Sequence, residues 1–576
     1  DSFEGDIVGN TANGNEGTGI QMDVPSVAGF SGSFSGTTAN ENSGEGIAIE
    51  GDAAFAGDLS GNRANRNGGR GFDVSADGGN WTADITDNTA NGNTGDGMRF
   101  EFDDDFAETF SGNTANNNDD EGIQFEVEDD LRGVLANNTA NGNADNGFDL
   151  EVGGQIDAAS IGGNIASNNG GGGLVIAVGD KIDDGSRIEG NTANNNVGIG
   201  IELDVDGGGG DFEGSTFLDN TANGNGLAAG ESGIVVNVDD FEDGSAMNGN
   251  MAIGNGDRGI DVAIGGNFTG DSISGNTASR NAGDGIRVVV GGAIENGAID
   301  NNTANDNGDE GIQIDVEGGD FDGGSVSGNT ANGNTETGIA VTIGTGGKVN
   351  DGSSFDGNTA SNNSENGIVI DVDGGDGDFE GSTIDDNMVI GNGSAGSFSG
   401  LVLIADEFQD GSSIDGNTAN GNSDHGIDVD LSGDIADGPN SISSNTASSN
   451  DGDGIHIRLE GKVDDGTAVD DNTANMNGDD GIDIALDADF EGSTINGNTA
   501  NGNGGDGIVV DLDDNDFEDG SSFANNTTND NGDDGVDSNV DEEAGITDSG
   551  NVQTGNADDA RDDNGTDDLG DNVPDN

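Results

Sequence analysis

The chain has no cysteine and no tyrosine, and only three prolines, one tryptophan and two histidines in 576 residues. Its 14 Lys and Arg stand against 115 Asp and Glu, a formal net charge of -101. Each shortage closes off a class of protein. Without cysteine there is no disulfide framework and no thiol chemistry. With so few cations, binding of DNA or RNA through a basic face is not expected, because duplex binding rests on neutralising phosphates with Lys and Arg. An anionic membrane surface is disfavoured on the same ground. No apolar run approaches the ~20 residues of a bilayer span, so membrane insertion is not expected.

Low hydrophobicity with high net charge is the compositional signature of disorder. The order of the residues overturns that reading. The phrase Asn-Thr-Ala-Asn, or a near variant, opens at Asn10, Asn62, Asn88, Asn113 and onward to Asn526; Thr37 holds the Asn place in the second copy and Asn551 opens a degraded last one. These anchors recur about every 27 residues, a period that marks a solenoid, propeller or array. After each anchor comes a polar stretch and then Gly with an alternating apolar segment. Ile123, Phe125 and Val127 alternate with Gln124 and Glu126, and Ile482, Ile484 and Leu486 with Asp483 and Ala485. Period-two alternation is a half-buried strand. A second strand precedes the anchor: in 492–500 the inward residues are Ile495 and Ala500, with Asn498 turning the corner. The Phe of the recurrent Asp-Phe-Glu-Gly-Ser phrase (211–215, 378–382, 489–493) marks a third apolar column. Helix competes poorly, since 111 glycines and dense Asn and Asp all cost against Ala in a helix interior.

The expected fold is all-β, a single-domain parallel β-solenoid of about 20 coils over residues 1–540, with a degraded last coil and an acidic tail in 541–576. Right-handed winding is expected because parallel crossovers are overwhelmingly right-handed. Strands about 4.8 Å apart would make twenty coils about 100 Å long. The stretch Gly-Asn-Thr-Ala-Asn-Gly-Asn followed by Gly-Asp-Gly-Ile-Val-Val (497–510) resembles the right-handed parallel β-helix repeat of pectate-lyase-like proteins, in which an Asn turns the corner after one strand and Gly-Ile opens the next. The resemblance covers residues 1 to about 540. It implies the fold and little about activity, since that repeat serves lyases, hydrolases, epimerases, tailspikes, adhesins and structural rods. Unlike the enzymes, the coils here are nearly uniform, with no long catalytic loop inserted.

Stacked copies turn each repeat position into a column. The anchor Asn predicts a ladder of side-chain amides running from coil to coil. The Gly before each apolar strand (Gly97, Gly122, Gly259, Gly481) predicts a positive φ or a tight corner. Acidic columns would repel about 5 Å apart, so the chain needs either brine, where the Debye length falls to about 3 Å at 1 M, or bound Ca²⁺ held by clustered carboxylates. The candidate Ca²⁺ ligands are Asp204, Asp206 and Asp211 around a four-Gly turn, Asp371, Asp373, Asp376 and Asp378, and Asp511, Asp513, Asp514 and Asp516. None matches an EF-hand loop or the nonapeptide of calcium-binding β-rolls.

The two histidines, His425 and His456, fall one coil apart. His456 with Arg458, followed by Lys462, forms a basic cluster on an outward strand face, a weak candidate for acid–base work on a sugar and more simply a break in acidic repulsion. The stretch 388–410 is the most irregular. An ice-binding face needs two outward columns, and the Thr of Asn-Thr-Ala supplies one. The first coil begins in repeat register without a cap, and open strand edges invite pairing. The leading expectation is therefore an extracellular structural protein, secreted with a cleaved leader and adapted to salt, whose copies join head to tail into a filament. It is not expected to be an enzyme. The alternative is a carbohydrate-active enzyme or carbohydrate-binding adhesin whose partner is a polysaccharide or cell-surface matrix.

Overall fold

The structure, a computed structural model, describes residues 4–24, 29–51, 53–76, 81–207, 209–372, 374, 377–463, 466–512, 515, 517, 520–539 and 547–557. It is built of strands and turns and contains, among the described residues, no α-helix. Its contacts divide it into two compact units, Asp1–Arg287 and Val288–Asn576. Both are built from the same coil.

In the first unit one coil starts at Met98. The strand Met98–Phe102 buries Met98, Phe100 and Phe102 and turns Arg99 and Glu101 outward. Phe106 then makes a single parallel bridge to Leu131 of the next coil. Two short strands follow, Thr109–Ser111 burying Phe110 and Thr114–Asn116 burying Ala115. The next coil lies on this one residue for residue: Ile123 on Met98, Phe125 on Phe100, Val127 on Phe102. The second unit repeats the plan with Ile482–Leu486, Phe490, Thr494–Asn496 and Thr499–Asn501. Every described pairing is parallel, and successive coils are 25 to 30 residues apart along the ladder. Each coil thus meets the next at four places. Ile495 and Ala500, expected in one strand, occupy two, because the chain turns at Asn498 between them. The coil continues past 540: Thr547–Ser549 and Val552–Thr554 pair with Ser522–Ala524 and Thr527–Asn529.

The core is a set of apolar columns. Ile482, Ile484, Leu486, Phe490, Ile495 and Ala500 are each at most 1% exposed. Each large apolar side chain taken out of water contributes about 1.5–3 kcal/mol. A pair of like surface charges 4 Å apart repels by about 1 kcal/mol in bulk water. Five large apolar side chains per coil therefore outweigh several such repulsions.

Asparagine ladders close the corners. Asn113 is fully buried. Its Nδ2 donates to Asn138 Oδ1 (3.1 Å) and to the Ile85 carbonyl (2.9 Å), and its backbone N–H donates to the same Asn138 Oδ1 (3.0 Å). The Asn two residues beyond the repeat phrase builds a second buried ladder. Asn118 donates from N–H and Nδ2 to Asn143 Oδ1, both at 3.0 Å, and from Nδ2 to the Ala90 carbonyl at 3.2 Å. In the second unit Asn472 and Asn477 do the same with Asn498 and Asn503. Thr37 has no amide, and the N–H of Asn10 reaches its Oγ1 only at 3.4 Å.

The glycines before the long strands differ from expectation. Gly97, Gly122, Gly259 and Gly481 are absent from the left-handed region. They are required by crowding: a Cβ at Gly97 would lie 2.5 Å from Asn118 Nδ2 and from the Gly122 carbonyl oxygen, and 2.7 Å from Ala115 Cβ. The left-handed corners flank the anchor strand instead, at Asp87 and Gly92, Gly112 and Asn117, Asp471 and Met476.

Asn138→Ala should therefore be far more damaging than its size suggests. It strands two buried donors of Asn113, each worth about 1–3 kcal/mol when unsatisfied. Gly122→Ala should cost about 1–3 kcal/mol by overpacking. Urea midpoints in molar NaCl check both, with the exposed Glu128→Ala expected to stay near wild type.

Candidate functional site

Outward positions of the long strands carry much of the charge. Glu101, Glu126 and Glu151 stack on one another in three successive coils. Elsewhere the register interleaves acids with uncharged residues, and this is where Asp204, Asp371 and Asp511 of the expected Ca²⁺ ligands fall. Asp204 lies between Ala177 and Asn237, and Asp371 between Thr342 and Ile404. Asp511 lies between Ala485 and Asn539, whose Nδ2 it accepts at 2.9 Å. Asp206 is exposed, and no three-carboxylate cluster among the described residues includes Asp204, Asp206 or Asp211. Asp378 is paired with Lys348 at 2.5 Å. Asp373, Asp376, Asp513, Asp514 and Asp516 lie outside the described residues.

Acids do converge at another place, in the turn that leads into the long strand. Asp96, Asp120 and Glu121 form one cluster, Asp453, Asp479 and Asp480 a second, and Asp506, Asp533 and Asp534 a third; Asp157, Asp183 and Asp184 meet at a different corner. Sequence spacing hid these clusters because their members come from adjacent coils. The turn carries its own ladder, in which each side chain accepts the N–H of the same position one coil on: Asp480 on Asp453 Oδ1 (2.8 Å), Asp506 on Asp480 Oδ1 (2.6 Å). Burial, then a carboxyl–carboxyl hydrogen bond with Asp96 and the charges around it, pushes Glu121 up to about 8. Burial also raises Asp480 to about 7 and Asp506 to about 6, against the N–H each accepts. Two cations meet such clusters: Arg70 bonds Asp96 at 2.7 Å, and Lys181 sits 2.7 Å from Asp183 and 2.8 Å from Glu213.

His425 occupies this turn column and His456 the first outward position of Ile455–Leu459, with Asp428 and Asp483 as its neighbours in register. The two imidazoles stack with centroids 4.7 Å apart. His456 Nδ1 is 2.9 Å from Asp428 Oδ1. His425 Nδ1 lies 3.1 Å from both the N–H and Oδ2 of Asp453, accepting from the first when neutral and donating to the second when protonated. Burial works against a charged His425, but Asp453, Asp428 and Asp424 overcome it and push the group up to about 9. The bond to Asp428 leads the upward shift of His456. Arg458 is engaged by Asp430 at 3.2 Å and Glu460 at 3.6 Å. The irregular stretch 388–410 keeps the coil: Met388–Ile390 and Leu401–Ala405 are regular strands, and Ser423 Oγ holds the turn between them through the Gly393 carbonyl at 2.7 Å.

The anchor strands form a different kind of surface. Ala115 points inward, and Thr114 and Asn116 point outward on either side of it. Each coil thus supplies two outward columns where the sequence suggested one. In the 21 copies the outward positions include no Asp or Glu, and Arg63 is their one charged residue. The Oδ1 of Asn91, Asn116 and Asn141 accepts the N–H of the next coil at 2.7–2.9 Å. Their Nδ2 groups and the Thr114 hydroxyl make no hydrogen bond among the described residues. Where Thr or Asn is replaced, the newcomer is often apolar and exposed: Ile165 and Met251 in the first unit, Met388, Ile390 and Val552 in the second, at 36–43%.

The raised carboxylates set a pH dependence. The native state holds protons that the unfolded chain has already released above its ordinary 3.8 to 4.5. The penalty is absent below about pH 4 and grows as pH climbs through about 6, 7 and 8, so stability should fall from acid toward neutral pH. Urea midpoints from pH 4 to 9 at constant salt check the sign, and Glu121→Gln should flatten the loss above pH 7.

No curated protein matches the chain. Among solved structures it is similar to the Dettilon tailspike protein (16% identity, TM-score 0.35), over 55% of this chain and 60% of the tailspike's own length. It is also similar to the A-module of the Azotobacter vinelandii mannuronan C-5 epimerase AlgE4 (13%, TM-score 0.25, 69% of this chain and 88% of the module). A third is a PL6 alginate lyase in complex with a trisaccharide (12%, TM-score 0.27, 63% and 80%). Residues 52–183 match the family model described as right handed beta helix region, so the parallel β-solenoid of this chain carries the right-handed β-helix repeat through that stretch.

Proposed function

We propose that the protein is a carbohydrate-binding β-helix scaffold that works outside the cell or at its surface and holds an uncharged polysaccharide along the Thr/Asn face. The observation that carries this reading is the exclusion of acid from that face in a chain with 115 acidic residues. The ladder does not impose the exclusion. On the neighbouring strands of the second unit Asp is the acceptor in place of Asn. There Asp300 Oδ1 accepts the Ser327 N–H at 2.8 Å, Asp356 that of Asp385 at 2.9 Å, and Asp415 that of Ser443 at 2.8 Å. Burial raises Asp356 and Asp385, and the cost is accepted there. Asp would serve as well beside Thr114, where Asn stands instead.

Amide donors and hydroxyls repeat about every 4.8 Å across strands, with interspersed exposed methyl-bearing side chains. This array suits a polymer of hydroxyls and C–H faces. Each contact is weak, and binding to many coils at once supplies avidity. The net charge turns away uronate polymers at low salt. The end-to-end filament expected from the sequence rested on the first coil alone; this reading rests on a face repeated in every coil.

Pull-down on insoluble neutral glucans and chitin, against alginate and pectate in solution, tests it. Neutral polymers should retain the protein with little salt dependence. The triple variant Asn91→Asp, Asn116→Asp, Asn141→Asp keeps each ladder acceptor and removes the donors, and should weaken retention at least tenfold. Cleavage of uronate polymers that disappears with His456→Ala or Arg458→Ala would make the protein an enzyme instead. Growth-arrested, faceted ice in the same preparation would replace the sugar lattice with a water lattice.

A further inference from the structure

We propose that His425, Asp428 and His456 form a binding site for a divalent first-row transition metal ion. The chain has two histidines. They lie in adjacent coils, on different elements, and the winding brings their rings to 4.7 Å. One nitrogen of each ring and one Asp428 oxygen lie within 4.8 Å of one another. Ligands at 2.0–2.2 Å from an ion must draw somewhat closer than this, and half-buried side chains at the edge of a strand have room to do so.

The surroundings are those of a metal site. His425 Nδ1 faces the Asp453 carboxylate at 3.1 Å, the arrangement that orients a ligating imidazole. The Ser399 hydroxyl donates to Asp428 Oδ2 at 3.3 Å, leaving Oδ1 toward the rings. Asp483 stands 3.8 Å from His456 Nε2 and adds negative charge. The donor set also selects the ion. Two imidazoles and a carboxylate suit Zn²⁺, Co²⁺, Ni²⁺ or Cu²⁺, whereas Ca²⁺ and Mg²⁺ take oxygen alone. This separates the site from the all-carboxylate clusters elsewhere on the same turn. It is independent of what occupies the Thr/Asn face.

The whole chain, stripped with a chelator and titrated with Co²⁺ in molar NaCl and excess Mg²⁺, should take up one tightly held ion with visible bands of nitrogen coordination. Cu²⁺ should show electron paramagnetic resonance hyperfine coupling to two imidazole nitrogens. The double variant His425→Gln, His456→Gln should lose the bands, and Asp428→Asn should weaken uptake roughly 10–100-fold. Uptake unchanged in the double variant would overturn the proposal. So would copper coupling to fewer than two nitrogens in the wild type, a readout that stands even where a variant fails to fold.

Discussion

The buried amide of an interior anchor asparagine such as Asn138 makes four hydrogen bonds, and all four run to a coil before or after its own. Asn138 gives its Nδ2 hydrogens to the Phe110 carbonyl and to Asn164 Oδ1, and its Oδ1 takes the N–H and Nδ2 of Asn113. No other side chain of this size offers two donors and a doubly accepting oxygen. The arrangement works only when coils stack in register, since a slip of one residue would leave buried donors and acceptors unmatched. The same register puts Phe on Phe: Phe212 stacks on Phe241 at 5.1 Å, and Phe490 on Phe517 at 4.8 Å. Polar and apolar columns thus specify one alignment together, the agreement between levels that marks a well-defined native state.

Register also governs the charges. A column repeated without variation would stack carboxylates over every coil. Copies vary instead, so that Asp428, His456 and Asp483 follow one another in one column and Ala177, Asp204 and Asn237 in another. Some cations lie where they serve two coils, as Arg132 does between Asp105 and Asp157. In the turn column repulsion is met by protonation, for Glu121 and Asp480 hold protons at a pH where free carboxyls have lost them. The chain meets its charge by alternation, pairing and proton retention, and the aliphatic columns carry the rest.

The strands were legible because period-two alternation and a fixed interval are both one-dimensional signals. Ile482, Ile484 and Leu486 read as inward from their spacing, and they are. The Asn498 corner read correctly for the same reason. The clusters that matter for chemistry were hidden because each is assembled from two coils: Asp96 with Glu121, His425 with His456. A local run such as 204–211 spaces its acids along one coil: Asp204 lies between Ala177 and Asn237, and Asp239 of the next coil accepts the Gly210 N–H at 3.3 Å rather than joining a cluster of three. The glycines misled in another way. A glycine before a strand reads as a turn residue, but Gly97 is demanded by the amide of Asn118 one coil away. The second Thr/Asn column was in plain sight in the phrase itself. The Thr alone reads as an outward column from the sequence, whereas the strand Thr114–Asn116, with Ala115 inward, turns the Asn after it outward as well.

On the proposed function, the polyanion around the Thr/Asn face would act as a filter whose setting depends on salt. At 0.1 M the Debye length is about 10 Å, so a uronate polymer approaching Thr114 and Asn116 still feels the carboxylates of adjoining faces. At 1 M the length is about 3 Å, and those charges are screened before contact. A neutral polymer is indifferent to either condition. Discrimination is therefore sharp in dilute medium and shallow in brine, and it comes from what surrounds the face as much as from the face itself. Removing acid from two columns while keeping it on the rest of the coil produces this filter without a pocket, from a repeat of about 27 residues.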